Sequence, residues 1–225
     1  MSHTSSPRTR VRRFVAIGIS CATLAVTLNA CSSGGKAFDS VRAGGENTSR
    51  VRPYHSWNDL IAEARGDLAE DPVDAAVVGS VTDVRPGRSF RWEFKGEGKD
   101  KEVRIETKFG AKEAMISTYH LTVNTTSVVG GDDQLKSASS VRVGIAVDPD
   151  VSLEDVKNDY SDISGAVFFL QQSPVYDYES GIFAIVEDGT LMATPDDNGD
   201  LSFPLLDADD PLQPPRGTRA ADLKK

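Results

Sequence analysis

The chain has 225 residues, with 34 acidic side chains against 25 basic ones, a formal net charge of −9 and two cysteines. An acidic surface repels phosphate, which excludes nucleic acid as a natural partner, and two cysteines cannot build the disulfide framework of a small exported scaffold. Stability must come from a hydrophobic core, for which a chain of this length suffices.

Arg8, Arg10, Arg12 and Arg13 open the chain, and positions 1 to 30 hold no acidic residue. The 15-residue apolar run FVAIGISCATLAVTL follows. A charged n-region before an apolar h-region is the pattern of a signal peptide. As a helix the run would be about 22 Å long, too short to span a hydrocarbon core of about 30 Å comfortably.

Leu28-Asn29-Ala30-Cys31 closes the run and resembles a bacterial lipobox. The resemblance implies cleavage after Ala30, a diacylglyceryl thioether on Cys31, and a domain anchored at the outer, extracytoplasmic face of the cell membrane. Cys21 lies inside the h-region and would be discarded with the peptide. Losing residues 1–30 removes 4 of the 25 basic residues and none of the 34 acidic ones, leaving 21 against 34, a net −13.

Residues 32–52, rich in Gly, Ser, Thr and Asn, read as a flexible tether with a root-mean-square reach of about 25 Å. The first predicted helix spans 56–65. Ser56 caps it with Asp59 three residues on, and Trp57, Leu60, Ile61 and Ala64 share one face. A second helix is expected over 152–160.

Between and after them the period changes to two. Phe90, Trp92 and Phe94 alternate with Arg91 and Glu93. Val103, Ile105, Thr107 and Phe109 alternate with polar residues, and so do Val141, Val143, Ile145 and Val147. These are half-buried antiparallel strands. Less regular runs at 75–84, 113–123, 166–171, 181–187, 190–194 and 201–206 bring the expected number to about nine. Pro86-Gly87, Gly130-Gly131, Asp188-Gly189 and Asn198-Gly199 supply turn chemistry between them. The perfect alternation of SFRWEF assigns its aromatics to the core rather than to an exposed stacking platform. Residues 207–225, proline-rich and poor in apolar side chains, read as a disordered tail.

The fold class is therefore mainly β, an antiparallel barrel or sandwich over residues 53–206. Over residues 73–187 the order of features resembles secreted bacterial OB-like barrel modules of the netrin or tissue-inhibitor type: a helix, AAVVGSV, a long hairpin, SVRVGIAV, then GAVFFLQ. The disulfides of the eukaryotic modules are missing, so protease inhibition does not carry over.

No nucleophile elbow, zinc helix, P-loop or dinucleotide fingerprint is present, so no catalytic residue and no cofactor is assigned. His120 shares a strand face with Thr118, Thr122 and Asn124, which points it to solvent. Residues 146–215 hold 16 acids and one base, Lys157, while residues 81–113 hold nine bases and seven acids. Two acidic clusters arise, Asp148, Asp150, Glu154 and Asp155, and the turn Asp196, Asp197, Asn198 and Asp200. Of these, Asp196, Asn198 and Asp200 are the candidate calcium ligands, although DDNGD lacks the EF-hand spacing and reads more simply as a solvated turn. The resulting expectation is a lipid-anchored binding or accessory module for an envelope partner. The alternatives are an envelope hydrolase using paired carboxylates and a structural envelope component.

Overall fold

A computed structural model describes Phe38 and residues 55–66, 73–94, 102–131, 133–173, 176, 178–186 and 189–223. The chain divides after Cys31 into two units, and every described residue belongs to the second, Ser32–Lys225. The expected signal peptide, Ala30 and Cys31 lie outside the described residues. No helix among the described residues is long and apolar enough to cross a membrane.

The protein is mainly β, eight strands of one mixed sheet with three helices among the described residues. The first helix, α1, is Trp57–Ala64. Ser56 caps it, its side chain accepting from the Asp59 amide at 3.2 Å, and the predicted face of Trp57, Leu60, Ile61 and Ala64 is buried. The strands are β1 Ala75–Phe94, β2 Glu102–Thr107, β3 Ile116–Gly130, β4 Ser140–Val147, β5 Ala166–Gln171, β6 Ile182–Ile185, β7 Met192–Pro195 and β8 Leu201–Ser202. The helix α2, Asp133–Ser137, follows β3. The third helix, α3, is Leu153–Tyr160, within the expected 152–160, and a capping box between Ser152 and Asp155 satisfies its first-turn amides.

The sheet order is β2-β1-β3-β4-β6-β5-β7-β8. Along the run from β1 to β5 the pairings are antiparallel for β1–β3 and β3–β4, parallel for β4–β6 and antiparallel for β6–β5. At the end of that run β5 pairs back onto β1, from Ala75↔Leu170 to Gly79↔Ala166.

Two predicted strands, 75–84 and 90–94, are one 20-residue strand, and this corrects the reading of Pro86-Gly87 as a hairpin turn. From Pro86 to Ser89 three steps along β1 match two along β3, from Tyr119 to Ser117. The extra residue makes a β-bulge, where a proline costs no ladder hydrogen bond and the strand bends without reversing. Further register shifts after Ala76, Val78 and Val81 let so long a strand curl from β5 to β2. At Gly79 an added Cβ would lie 2.5 Å from Val123 Cγ1, so the close approach of β1 and β3 there requires glycine.

The alternation in β4 holds. Val141, Val143, Ile145 and Val147 are all buried, in one cluster with Val77, Leu121, Tyr160 and Phe168. In β2 it holds less well: the strand borders only the tip of β1, and Val103 is 39% exposed. Phe38 belongs to the same inner cluster, 1% exposed and edge-on to the Tyr160 ring at 5.4 Å. The expected flexible tether therefore has one of its residues built into the core, because a phenylalanine excluded from water contributes about 2 kcal/mol or more.

A second apolar layer lies outside β1 and β5. Trp57 meets Phe169 and Phe203 edge-on, each at 5.7 Å, and Val167, Leu191, Leu212 and Leu223 complete it. Residues 207–223, expected as a disordered tail, are part of this layer. The Gln213 amide clamps Phe203, Nε2 donating to its carbonyl and Oε1 accepting from its amide, both at 2.9 Å. The Trp57 amide donates to the Pro211 carbonyl at 3.3 Å, and the Leu201 amide donates to the Thr218 carbonyl at 2.8 Å. Two widely spaced leucines and one forked amide do here what a periodic apolar face does elsewhere.

Candidate functional site

The bulge in β1 sets up a polar cluster on the outer face of β3. Its distorted ladder leaves Arg88 with a backbone amide and carbonyl facing β3. The Thr118 hydroxyl satisfies both at once, accepting from the Arg88 amide and donating to the Arg88 carbonyl, each at 2.8 Å. Gly87 makes the space. A Cβ there would sit 2.5 Å from Thr118 Oγ1 and 2.8 Å from His120 Nε2.

Over this face lies the segment joining β5 to β6, residues 172–181, of which 172, 173, 176 and 178–181 are described. The Tyr178 hydroxyl comes within 3.0 Å of Thr118 Oγ1 and 2.7 Å of His120 Nε2. Its ring stacks on the imidazole at 5.9 Å and lies 5.5 Å from the Phe90 ring. The Arg88 guanidinium sits 4.8 Å over Tyr178, and that of Arg104 sits 4.7 Å over Phe90. Arg142 of β4 ties the segment down at its far end, pairing with Glu179 and donating to the Ser180 carbonyl. Tyr176 fills the space that Gly144 of β4 leaves open, since a Cβ on Gly144 would fall 2.3 Å from its ring.

Thr118 has one hydroxyl hydrogen and gives it to Arg88, so toward Tyr178 it can only accept. The single Tyr178 proton then goes either to Thr118 or to His120 Nε2.

Burial holds His120 below its ordinary pKa. Glu179 opposes that effect, and Arg142 and Arg88 add to it. Burial raises Tyr178, with the Thr118 hydrogen bond acting the other way. Both groups are thus neutral at pH 7. This pair does not make an activated nucleophile. It makes an aromatic cluster around a neutral imidazole, rimmed by guanidinium groups that are themselves ion-paired, Arg88 with Glu106 and Arg142 with Glu179.

The sequence placed His120 and Thr118 on one face correctly; His120 does lie on the outer face, but it is half-buried there because Tyr178 stacks on its ring. Phe90 is buried as expected, yet it packs outside β1, under Tyr178 and Arg104, and belongs to neither large apolar cluster. Trp92 is half-buried. Nothing in the 172–181 segment has a period, so only its two tyrosines after a buried strand hinted at a cover.

The candidate calcium residues make a hairpin turn between β7 and β8. Asp196 Oδ1 accepts from the Asn198 amide at 2.8 Å and the Asp200 amide at 2.9 Å. Those hydrogen bonds, the one from Asp200 foremost, hold the Asp196 carboxyl below the usual carboxylate range. Asp200 Oδ1 lies 3.7 Å from Arg219 Nε. In the other acidic cluster, Asp148 accepts from the Asp150 amide at 3.1 Å and Asp155 completes the capping box of α3. Among the described residues no group of three or more His, Cys, Asp or Glu side chains is placed to hold a metal ion.

No family model matches the chain, and neither a curated protein nor a solved structure matches it.

Proposed function

We propose that the protein is a bacterial lipoprotein whose signal peptide is cleaved after Ala30 and whose Cys31 carries the lipid. It holds a β-rich binding or accessory module at the extracytoplasmic face of the cell membrane. The module is an OB-like barrel. Supporting that reading are the return of β5 onto β1, the one parallel pair β4–β6, and α3 placed between β4 and β5. In OB folds the face of the second and third strands, flanked by two loops, takes the ligand. The corresponding face here is that of β3 and β4, and the corresponding loop is the 172–181 segment.

The observation that carries the binding reading is the cluster of Thr118, His120 and Tyr178 on that face, framed by Arg88 and Arg142. Aromatic rings beside a neutral imidazole suit a ligand with a flat face and polar edges. Paired-carboxylate hydrolysis is the weaker reading. A general acid needs a carboxyl whose pKa is raised, whereas Asp155 and Asp196 are both lowered by hydrogen bonds to their own turns.

The anchor is tested by fractionation. Cys31→Ser is expected to leave the chain unlipidated and move it from the membrane fraction to the soluble one. Equal membrane association of the variant and the parent would end the lipoprotein reading.

A further inference from the structure

Phe38 lies seven residues beyond Cys31, inside the stretch whose composition reads as a tether. It is 1% exposed, in the inner core, and packs edge-on against Tyr160, the last residue of α3. Its φ of +50° places a bulky side chain in the left-handed region, which phenylalanine adopts rarely and keeps only where its surroundings dictate it. Burial and backbone together mark a built contact.

We infer that the chain joins the domain at Phe38, so that an anchor at Cys31 is at most seven residues of chain from the core and the α3 end of the domain is turned toward the bilayer. This rests on the lipidation of Cys31 proposed above. Seven residues reach at most about 25 Å fully extended and about 15 Å as a random coil. The 21 residues of a tether running to residue 52 would reach roughly 70 Å extended. A compact domain of this size has a radius of gyration of about 16 Å and is therefore roughly 40 Å across. On the longer tether every face can touch lipid. On seven residues the face opposite Phe38 cannot, and the lipid surface meets the Phe38 and Tyr160 end.

The test uses the full chain, purified with its lipid and reconstituted in phosphatidylcholine and phosphatidylglycerol vesicles that carry dansyl-labelled headgroups. Energy transfer from Trp57 and Trp92 to the label reports the height of the domain. A ten-residue Gly-Ser insert placed between Cys31 and Phe38 should lower the transfer. The same insert between Phe38 and His55 should leave it unchanged, and Phe38→Ala should make the second insert as effective as the first. Equal loss of transfer from both inserts in the parent overturns the inference. Failure of the lipid reading looks different, because no variant then floats with the vesicles. In that case the melting temperature of Phe38→Ala decides: a drop of several degrees supports the docking of Phe38, and an unchanged value overturns it.

Discussion

Two covers lie on the outside of one sheet, and they are built from different chemistry. Over β1 and β5, α1 and residues 201–223 exclude water with Trp57, Phe169, Phe203, Leu212 and Leu223. Over β3 and β4, the 172–181 segment is held by the buried Tyr176 ring and, beside it, by a hydroxyl, an imidazole, a phenol and an ion pair at the surface. Apolar burial is non-directional and large per side chain. Neutral hydrogen bonds contribute about 1 kcal/mol each and an exposed ion pair less. The first cover is therefore expected to contribute more to stability than the second.

The largest expected effect falls on the apolar cover. Trp57→Ala removes a 5% exposed ring from two aromatic contacts and is expected to cost about 3–5 kcal/mol in urea unfolding. A loss under about 1 kcal/mol would erase the distinction between the two covers.

A pair of glycines sharpens it further. An added Cβ at Gly130 would lie 1.6 Å from the Ala64 carbonyl oxygen, so Gly130→Ala must push α1 off the sheet. At Gly144 the obstacle is the Tyr176 ring, a side chain rather than backbone, 2.3 Å away. Gly144→Ala is expected to cost about 1–2 kcal/mol at most and to open the 172–181 segment to limited proteolysis. Gly130→Ala should cost more and open no single loop. Similar unfolding midpoints and similar cleavage patterns for the two variants would contradict this.

The smallest effect is a dependence on pH. Because His120 is held below its ordinary pKa in the fold, the unfolded chain takes up a proton first. Stability from this group is complete above about pH 6.5 and declines as pH falls through that value toward the lowered one, where the loss levels off. Urea midpoints at pH 7.5 and 5.5 should differ by less in His120→Gln than in the parent. An identical difference would remove His120 from the account.

Much of the fold could be read from local rules. Ser56 announced the first helix because a capping side chain acts within three residues, and Val141 to Val147 announced β4 because one face is core and the other is not. The failures share a cause, which is contact at long range. Pro86-Gly87 reads as a turn until Thr118 supplies the bonds that let a bulge persist. Residues 207–223 read as disordered until Gln213 finds Phe203. At the site, Thr118 and His120 were legible as one face, but Tyr178 is 58 residues from His120 and no periodicity points to it. Cys31 and Ala30 lie outside the described residues, and their reading stands on the lipobox alone.

The clasp between α1 and residues 211–223 also sets an order of events. The Arg65 guanidinium donates to the Leu223 carbonyl across 158 positions of sequence. During synthesis from the N-terminus, α1 emerges long before the segment that covers it, and a helix of eight residues is unstable in water without such a partner. Trp57, Leu60 and Ile61 therefore spend most of chain growth without their cover, and the outer layer closes late.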